Sequence, residues 1–447
     1  MVADDERALG DDHPNTLTSA SNLANAYRSK GRVAEAITLF EQVVTDDRRV
    51  LGDDHPDTLT SLSTVAYAYV SVGRGAEAID LFEQVLANRR RVLGDDHPDT
   101  LATVSKAAYA YESVGRVAEA ITLFEQVLAN RRRILGHDHP DTLTSVNELA
   151  GGYLMVGRVA EAITLFEQVL ANRRRVLGHD HPDTLTSVNN LAYAYKSLGR
   201  VAEAITLFEQ AVTDDLRVLG DNHPDTLTSV SNLAGAYRSV GRVAEAIALF
   251  EQVLADRRRV LGDNHPDTLT SVSNLAGAYR SVGRVAEAIA LFEQVLADRR
   301  RVLGDNHPDT LTSVSKLAGA YRSVGRVAEA IALFEQVLAD YRRVLGDDYP
   351  DTLTTVNELA VAYRSVGRVA EAINLFEQVL SNRRRVLGDD HPDTLTTVNE
   401  LAVAYRSEGR VAEAITLFEQ MNSLGKVGSA TAPRQRKSDK RSGIPRP

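Results

Sequence analysis

The sequence predicts an all-α protein, a superhelical solenoid of about ten antiparallel helix pairs. Three observations carry that expectation. A 42-residue period runs through most of the 447 residues, apolar side chains recur three and four apart within each period, and Gly and His-Pro punctuate the apolar stretches. His13, His55, His97, His139, His181, His223, His265, His307 and His391 each precede a proline on that period. Ten phenylalanines, Phe40 to Phe418, fill a second slot and are all the phenylalanines in the chain. The repeat overrides the two or three globular domains that length alone would suggest.

One period shows how each element arises. In residues 219–260, "DNHPDT" supplies turn formers, then Pro224 for the first helical position and Asp225 for the positive end of the helix dipole. Leu227, Val230, Leu233, Ala234 and Tyr237 form one helical stripe, and Gly241 ends the helix in a left-handed cap. A second helix follows at once, with Val243, Ala246, Ile247, Phe250, Val253 and Leu254 as its stripe. "DRRR" closes it with arginines at the negative helix end, and Gly262 stops it. Neither helix can bury its stripe alone, so the pairs must stack.

Composition narrows the function. There is no cysteine, which excludes disulfides, zinc-thiolate sites and cysteine nucleophiles. No apolar run reaches the roughly 20 residues that span a bilayer, and "MVADDERALG" does not read as a signal peptide, so a cytoplasmic setting is expected. Net charge is -10, yet residues 421–447 carry seven Lys/Arg against Asp439 alone, which leaves the remainder at -16. An acidic body argues against nucleic acid as a partner, since phosphate contacts need a basic face. The domain reading is a partial helix over 1–10, ten repeats over 11–422, and a basic tail over 423–447 too polar to fold.

"NLAGAYRSVGRVAEAIALFEQVL" resembles a tetratricopeptide repeat in its Leu-Ala, Tyr, Gly, Ala and Phe marks. The 42-residue length and "LGDDHPDTLTSVSNLA" resemble the kinesin-light-chain type, across residues 11 to about 422. Two departures stand out: the large aromatic usual early in the first helix is small here (Ala20, Leu62, Val230), and no proline follows the second helix. The resemblance implies a right-handed superhelix whose first helices line a concave groove that receives peptides.

The histidine ladder has three readings: metal ligands, general bases, or a structural stitch. Equivalent residues of stacked helix pairs lie roughly 10 Å apart, too far to share a metal that needs ligands within about 2.3 Å. Tyr349-Pro350 also replaces His-Pro without other disturbance. The histidine is therefore expected to start the first helix with its ring on the neighbouring repeat. Other chemistry is absent from this reading. The Ser, His and Asp spacings follow the helices, "DD" at 53–54 reads as capping, and the triplet Arg89–Arg91 reads as a solvated helix end. No catalytic residue, metal or cofactor is expected.

Near-identical copies make their differences informative. On the first helix one slot holds Asn25, Tyr67, Tyr109, Gly151, Tyr193, Gly235, Gly277, Gly319, Val361 and Val403. Three residues on come Arg28, Val70, Glu112, Leu154, Lys196, Arg238, Arg280, Arg322, Arg364 and Arg406, on the same face and away from the stripe. Tyr67, Tyr109, Tyr193, Arg238, Arg280, Arg322, Arg364 and Arg406 are the expected partner-binding residues. Mid-helix glycine costs about 1 kcal/mol, so Gly235, Gly277 and Gly319 either admit a ligand or record duplication. The arginine row either meets a ligand or pairs with acids of adjacent copies. A scaffold binding a protein or peptide is the leading function. A self-assembling solenoid is the alternative, with weak end-to-end association expected from its terminal faces.

Overall fold

In the computed structural model, residues 13–419 except Asp390 are described; the expectations for residues 1–10 and for the basic tail lie outside them. The described residues form nineteen helices from Pro14–Ser29 to Pro392–Ser407, with a further helical stretch over 411–419. No strand occurs among them. They alternate as expected. First helices run 15 or 16 residues, as in Pro56–Val70 and in Pro224–Ser239 of repeat six, and second helices 18 or 19, as in Val243–Leu261.

The turns explain the regularity. Gly241 has φ +81°, its N–H bonds to the Arg238 carbonyl, and the Arg242 N–H closes back on the Tyr237 carbonyl. That left-handed cap reverses the chain between the two helices of a pair. Phe40, Phe82, Phe124, Phe166, Phe208, Phe250, Phe292, Phe334 and Phe376 are all buried, with the Ala of the second-helix stripe beside each. The tyrosine slot then ties one pair to the next. Tyr237 donates its hydroxyl to Glu209 of the preceding repeat at 2.7 Å, and the Arg242 guanidinium lies 3.6 Å from the Tyr237 ring centroid.

Helix order and curvature follow from packing. Each helix packs on its neighbours in sequence, and the first helices of successive repeats also touch directly, which no pair of successive second helices does to the same extent. First helices therefore line the inner, concave side. The winding is tight. Gly31 of repeat one faces His265 and Pro266, Gly73 faces His307 and Pro308, Gly115 faces Leu345 and Tyr349, and Gly157 faces Leu387. These pairings, about 234 residues apart, bring the second superhelical turn onto the first after between five and six repeats. His307 Nε2 donates to the Ser71 carbonyl at 3.1 Å across that seam. The equivalent turn glycines from Gly199 onward meet nothing within 4 Å.

Two expectations change here, and the histidine's place at the helix start gains its detail. The histidine is a helix N-cap: His223 Nδ1 accepts from the Asp225 N–H at 3.2 Å, as in the other copies. His223 is 42% exposed, whereas His265 is 14% exposed because a repeat of the previous turn covers it. A further tie between neighbours is the first arginine of each triplet, which is not a solvated helix end. Arg257 is buried and donates to the Asp267 carbonyl at 3.1 Å, Ser271 Oγ at 2.9 Å and Thr228 Oγ1 at 3.0 Å. It thus joins the first helices of repeats six and seven. Arg89, Arg173, Arg299 and Arg383 repeat the pattern, Arg131 keeps the bonds to the Asp141 carbonyl and Ser145, and Asp47, Asp215 and Tyr341 fill the slot elsewhere. Nor do the paired acids cap: Asp53 takes Arg48 of the preceding repeat at 3.0 Å and Asp54 takes Arg91 at the far end of its own repeat.

Candidate partner-binding groove

The groove is built from the slots that vary. On the inner face the expected cations divide into two groups. Arg322 pairs with Glu358 and Arg364 with Glu400, each at 2.6 Å, so these two meet acids of the next repeat. Arg238, Arg280 and Arg406 have no acceptor among the described residues, and neither has Lys196. Burial holds the Arg238 and Arg280 guanidinium groups and the Lys196 ammonium below their ordinary values. The like charge of Arg280 adds to this at Arg238, whereas at Arg280 the Glu358 carboxylate opposes it and Arg322 then adds to it.

The helical glycines are explained by these same side chains. A Cβ on Gly277 would stand 2.6 Å from Arg238 Nη1, one on Gly319 2.8 Å from Arg280 Nη1, and one on Gly235 3.6 Å from Lys196 Nζ. Each cation lies across the glycine of the next repeat. The glycine thus makes room for a neighbouring cation. Lysine and arginine held this way form a continuous inner row over repeats five to seven.

Where the row ends a cleft of about 590 Å³ opens, lined by Arg280, Lys316, Arg322, Tyr341, Asp351 and Glu358 among others. Lys316 donates to Ser273 Oγ at 3.1 Å, and burial, then Arg299 and Arg238, bring its pKa down to about 8. The sequence offered a signal for it: repeat eight alone in that stretch has Lys316 where repeats six and seven have Asn232 and Asn274.

The other half of the groove differs in chemistry. Tyr67, Tyr109 and Tyr193 are 43%, 39% and 52% exposed, high for tyrosines on packed helices. Tyr109 stacks edge-on against Phe124 with centroids 5.4 Å apart and donates to Glu148 at 3.4 Å. Tyr193 stands apart from the other two, on repeat five. The structure therefore brings Tyr67 and Tyr109 together, brings Arg238, Arg280 and Arg322 into one row, and leaves Arg364 and Arg406 further along it.

No group of three or more His, Asp or Glu among the described residues is arranged to hold a metal, and no helix is long and apolar enough to cross a membrane. A tetratricopeptide-repeat profile matches ten overlapping segments, from 3–48 to 351–421. A putative kinesin light chain of Podosopora anserina with nearly identical TPR-like repeats is 40% identical, covering 46% of this chain and 97% of its own, with a TM-score of 0.39. BtubC (BKLC) from P. vanneervenii is 19% identical over 56% of this chain and 98% of its own, with a TM-score of 0.41. A Rap protein complexed with Competence and Sporulation Factor is 11% identical, covers 84% of this chain and 100% of its own, and reaches a TM-score of 0.56, a likeness of fold alone. No curated protein sequence matches. With the Tyr, Gly, Ala and Phe slots in place along the array, this chain belongs to the tetratricopeptide-repeat family.

Proposed function

We propose that the protein is a non-enzymatic, cytoplasmic scaffold that holds a partner protein or peptide in its concave groove. Tetratricopeptide repeats commonly mediate contacts between proteins, and a Rap protein of like fold was solved with a bound factor. The observation that carries the reading is the unpaired row Lys196, Arg238 and Arg280. On the same slot Arg322 and Arg364 find acids at 2.6 Å, so the fold has a ready way to neutralise this position and does not use it in repeats five to seven. Arg238 and Arg280 are exposed on that face and Lys196 is half-exposed, so their donors stand open to a ligand's acceptors.

The test is affinity capture on the full chain with Arg238 and Arg280 both changed to Glu, beside a control with Arg322 and Arg364 changed to Gln. The proposal expects a partner held by the wild type to be lost from the first variant and kept, more weakly, by the second. Equal retention by both variants contradicts it.

A further inference from the structure

The one break in the histidine ladder, Tyr349, has a place in the groove. It opens repeat nine, and the winding sets it against repeat three of the previous turn, with its ring 3.2 Å from where a Cβ on Gly115 would stand. A cavity of about 400 Å³ opens there. Tyr67, Tyr109 and Tyr349 line it together with Val70, Met155 and Glu112. The first superhelical turn supplies all of these but Tyr349, so the cavity is complete only when the turns are in contact.

Its chemistry is specific. Three tyrosine side chains line it, and the carboxylate among them has no hydrogen bond or ion pair with any described residue. Glu148, behind it, is engaged by Ser105 at 3.1 Å and Tyr109 at 3.4 Å. Aromatic faces around an uncompensated carboxylate attract a cation, and such boxes hold ammonium and guanidinium groups. Tyr67 already serves as a cation platform elsewhere: Arg28 of the preceding repeat lies 5.6 Å from its centroid, outside the cavity lining.

We propose that this box receives an arginine or lysine side chain from a basic segment of the partner that lies in the groove. The assignment extends the groove reading but rests on different residues, so either can fail alone. Burial and then Glu148 bring the Glu112 carboxyl up to about 7, and burial, then Asp351 and Glu112, push the Tyr349 hydroxyl up to about 12. Glu112 therefore gains its charge as pH rises through about 7, with Tyr109 and Tyr349 neutral around it.

The test is fluorescence anisotropy on the full chain with a labelled peptide of alternating glycine and arginine, and its glycine–glutamate counterpart. The basic peptide should bind, and more tightly at pH 8 than at pH 6. Tyr349→His, which restores the residue of the other repeats, and Glu112→Gln should each weaken it roughly tenfold, the scale of a desolvated cation–π contact. Glu112→Gln should also flatten the pH dependence, and Arg238→Glu should not weaken binding. Circular dichroism confirms that each variant keeps its helices. Unchanged binding in both box variants, equal binding of the acidic peptide, or no binding of the basic one overturns the assignment. So does a chain ending at residue 422 that binds the peptide when the full chain does not, which would give the box to the chain's own basic tail.

Discussion

Alanine at Gly115 and at Gly241 makes a matched pair that isolates the contact between superhelical turns. Both glycines end a first helix, with φ +80° and +81°. Each substitution therefore places a Cβ in left-handed backbone, at about 1–2 kcal/mol. Around Gly241 the new atom meets nothing within 4 Å. At Gly115 it would lie inside van der Waals contact of the Leu345 carbonyl oxygen and 3.2 Å from Tyr349 Cδ2. Backbone cannot swing aside as a side chain can, so the seam must part locally. Exposing part of an aromatic ring at about 25 cal/mol per Å² adds on the order of 2 kcal/mol for some 80 Å² uncovered. Urea unfolding of the two variants should differ by that amount, Gly115→Ala being the less stable. Small-angle scattering should show a longer particle for Gly115→Ala and not for Gly241→Ala. Equal stability together with equal maximum dimension would refute the seam.

Three further outcomes follow from the packing. Arg257→Ala should cost about 2–4 kcal/mol, since it removes three bonds from a charged donor and leaves a void; Arg257→Tyr should cost less, because repeat eight accepts Tyr341 at that slot, and urea melts that rank the two the other way contradict the bracing role. Phe250→Ala should cost about 3–5 kcal/mol, as for any buried aromatic, read by the same melts. His307 is held below its ordinary 6.5, first by burial, with Asp309 and the Ser71 carbonyl opposing and Arg299 adding. The unfolded chain therefore takes up the proton more readily, so the stability advantage of wild type over His307→Asn should be full above pH 6.5 and shrink as pH falls below it. An advantage that grows in acid would reverse the sign of that account.

Much of this was legible in the sequence because each repeat states its own periodicity. The Phe slot, the Tyr slot and the positive-φ glycines follow from spacing three and four and from the chain reversal that two antiparallel helices require. What local reasoning missed depends on partners about 42 or about 234 residues away. Arg257 reads as a helix end until the first helix of the next repeat supplies Ser271 and the Asp267 carbonyl. Gly277 reads as an opening for a ligand until Arg238 of the preceding repeat lies across it. Tyr349 reads as a harmless exception until the winding places Gly115 and the tyrosines of repeats two and three against it. The period of the superhelix is set by small angles summed over several repeats, and no single 42-residue stretch encodes it visibly. The variable slots Tyr67, Tyr109, Arg238 and Arg280 were visible as differences among copies, whereas which of the arginines find acids depended on Glu358 and Glu400.

The central claim is that the inner face holds a partner, and site-specific photo-crosslinking reads it most directly. A photoreactive residue replacing Arg280 reports the concave face, and one replacing Val282, 45% exposed at the turn between helices, reports outside it. The account predicts a discrete crosslinked partner from the first position and none from the second, with the product lost when Arg238 is changed to Glu. The same partner captured from Val282 and not from position 280 would place binding elsewhere and contradict the account.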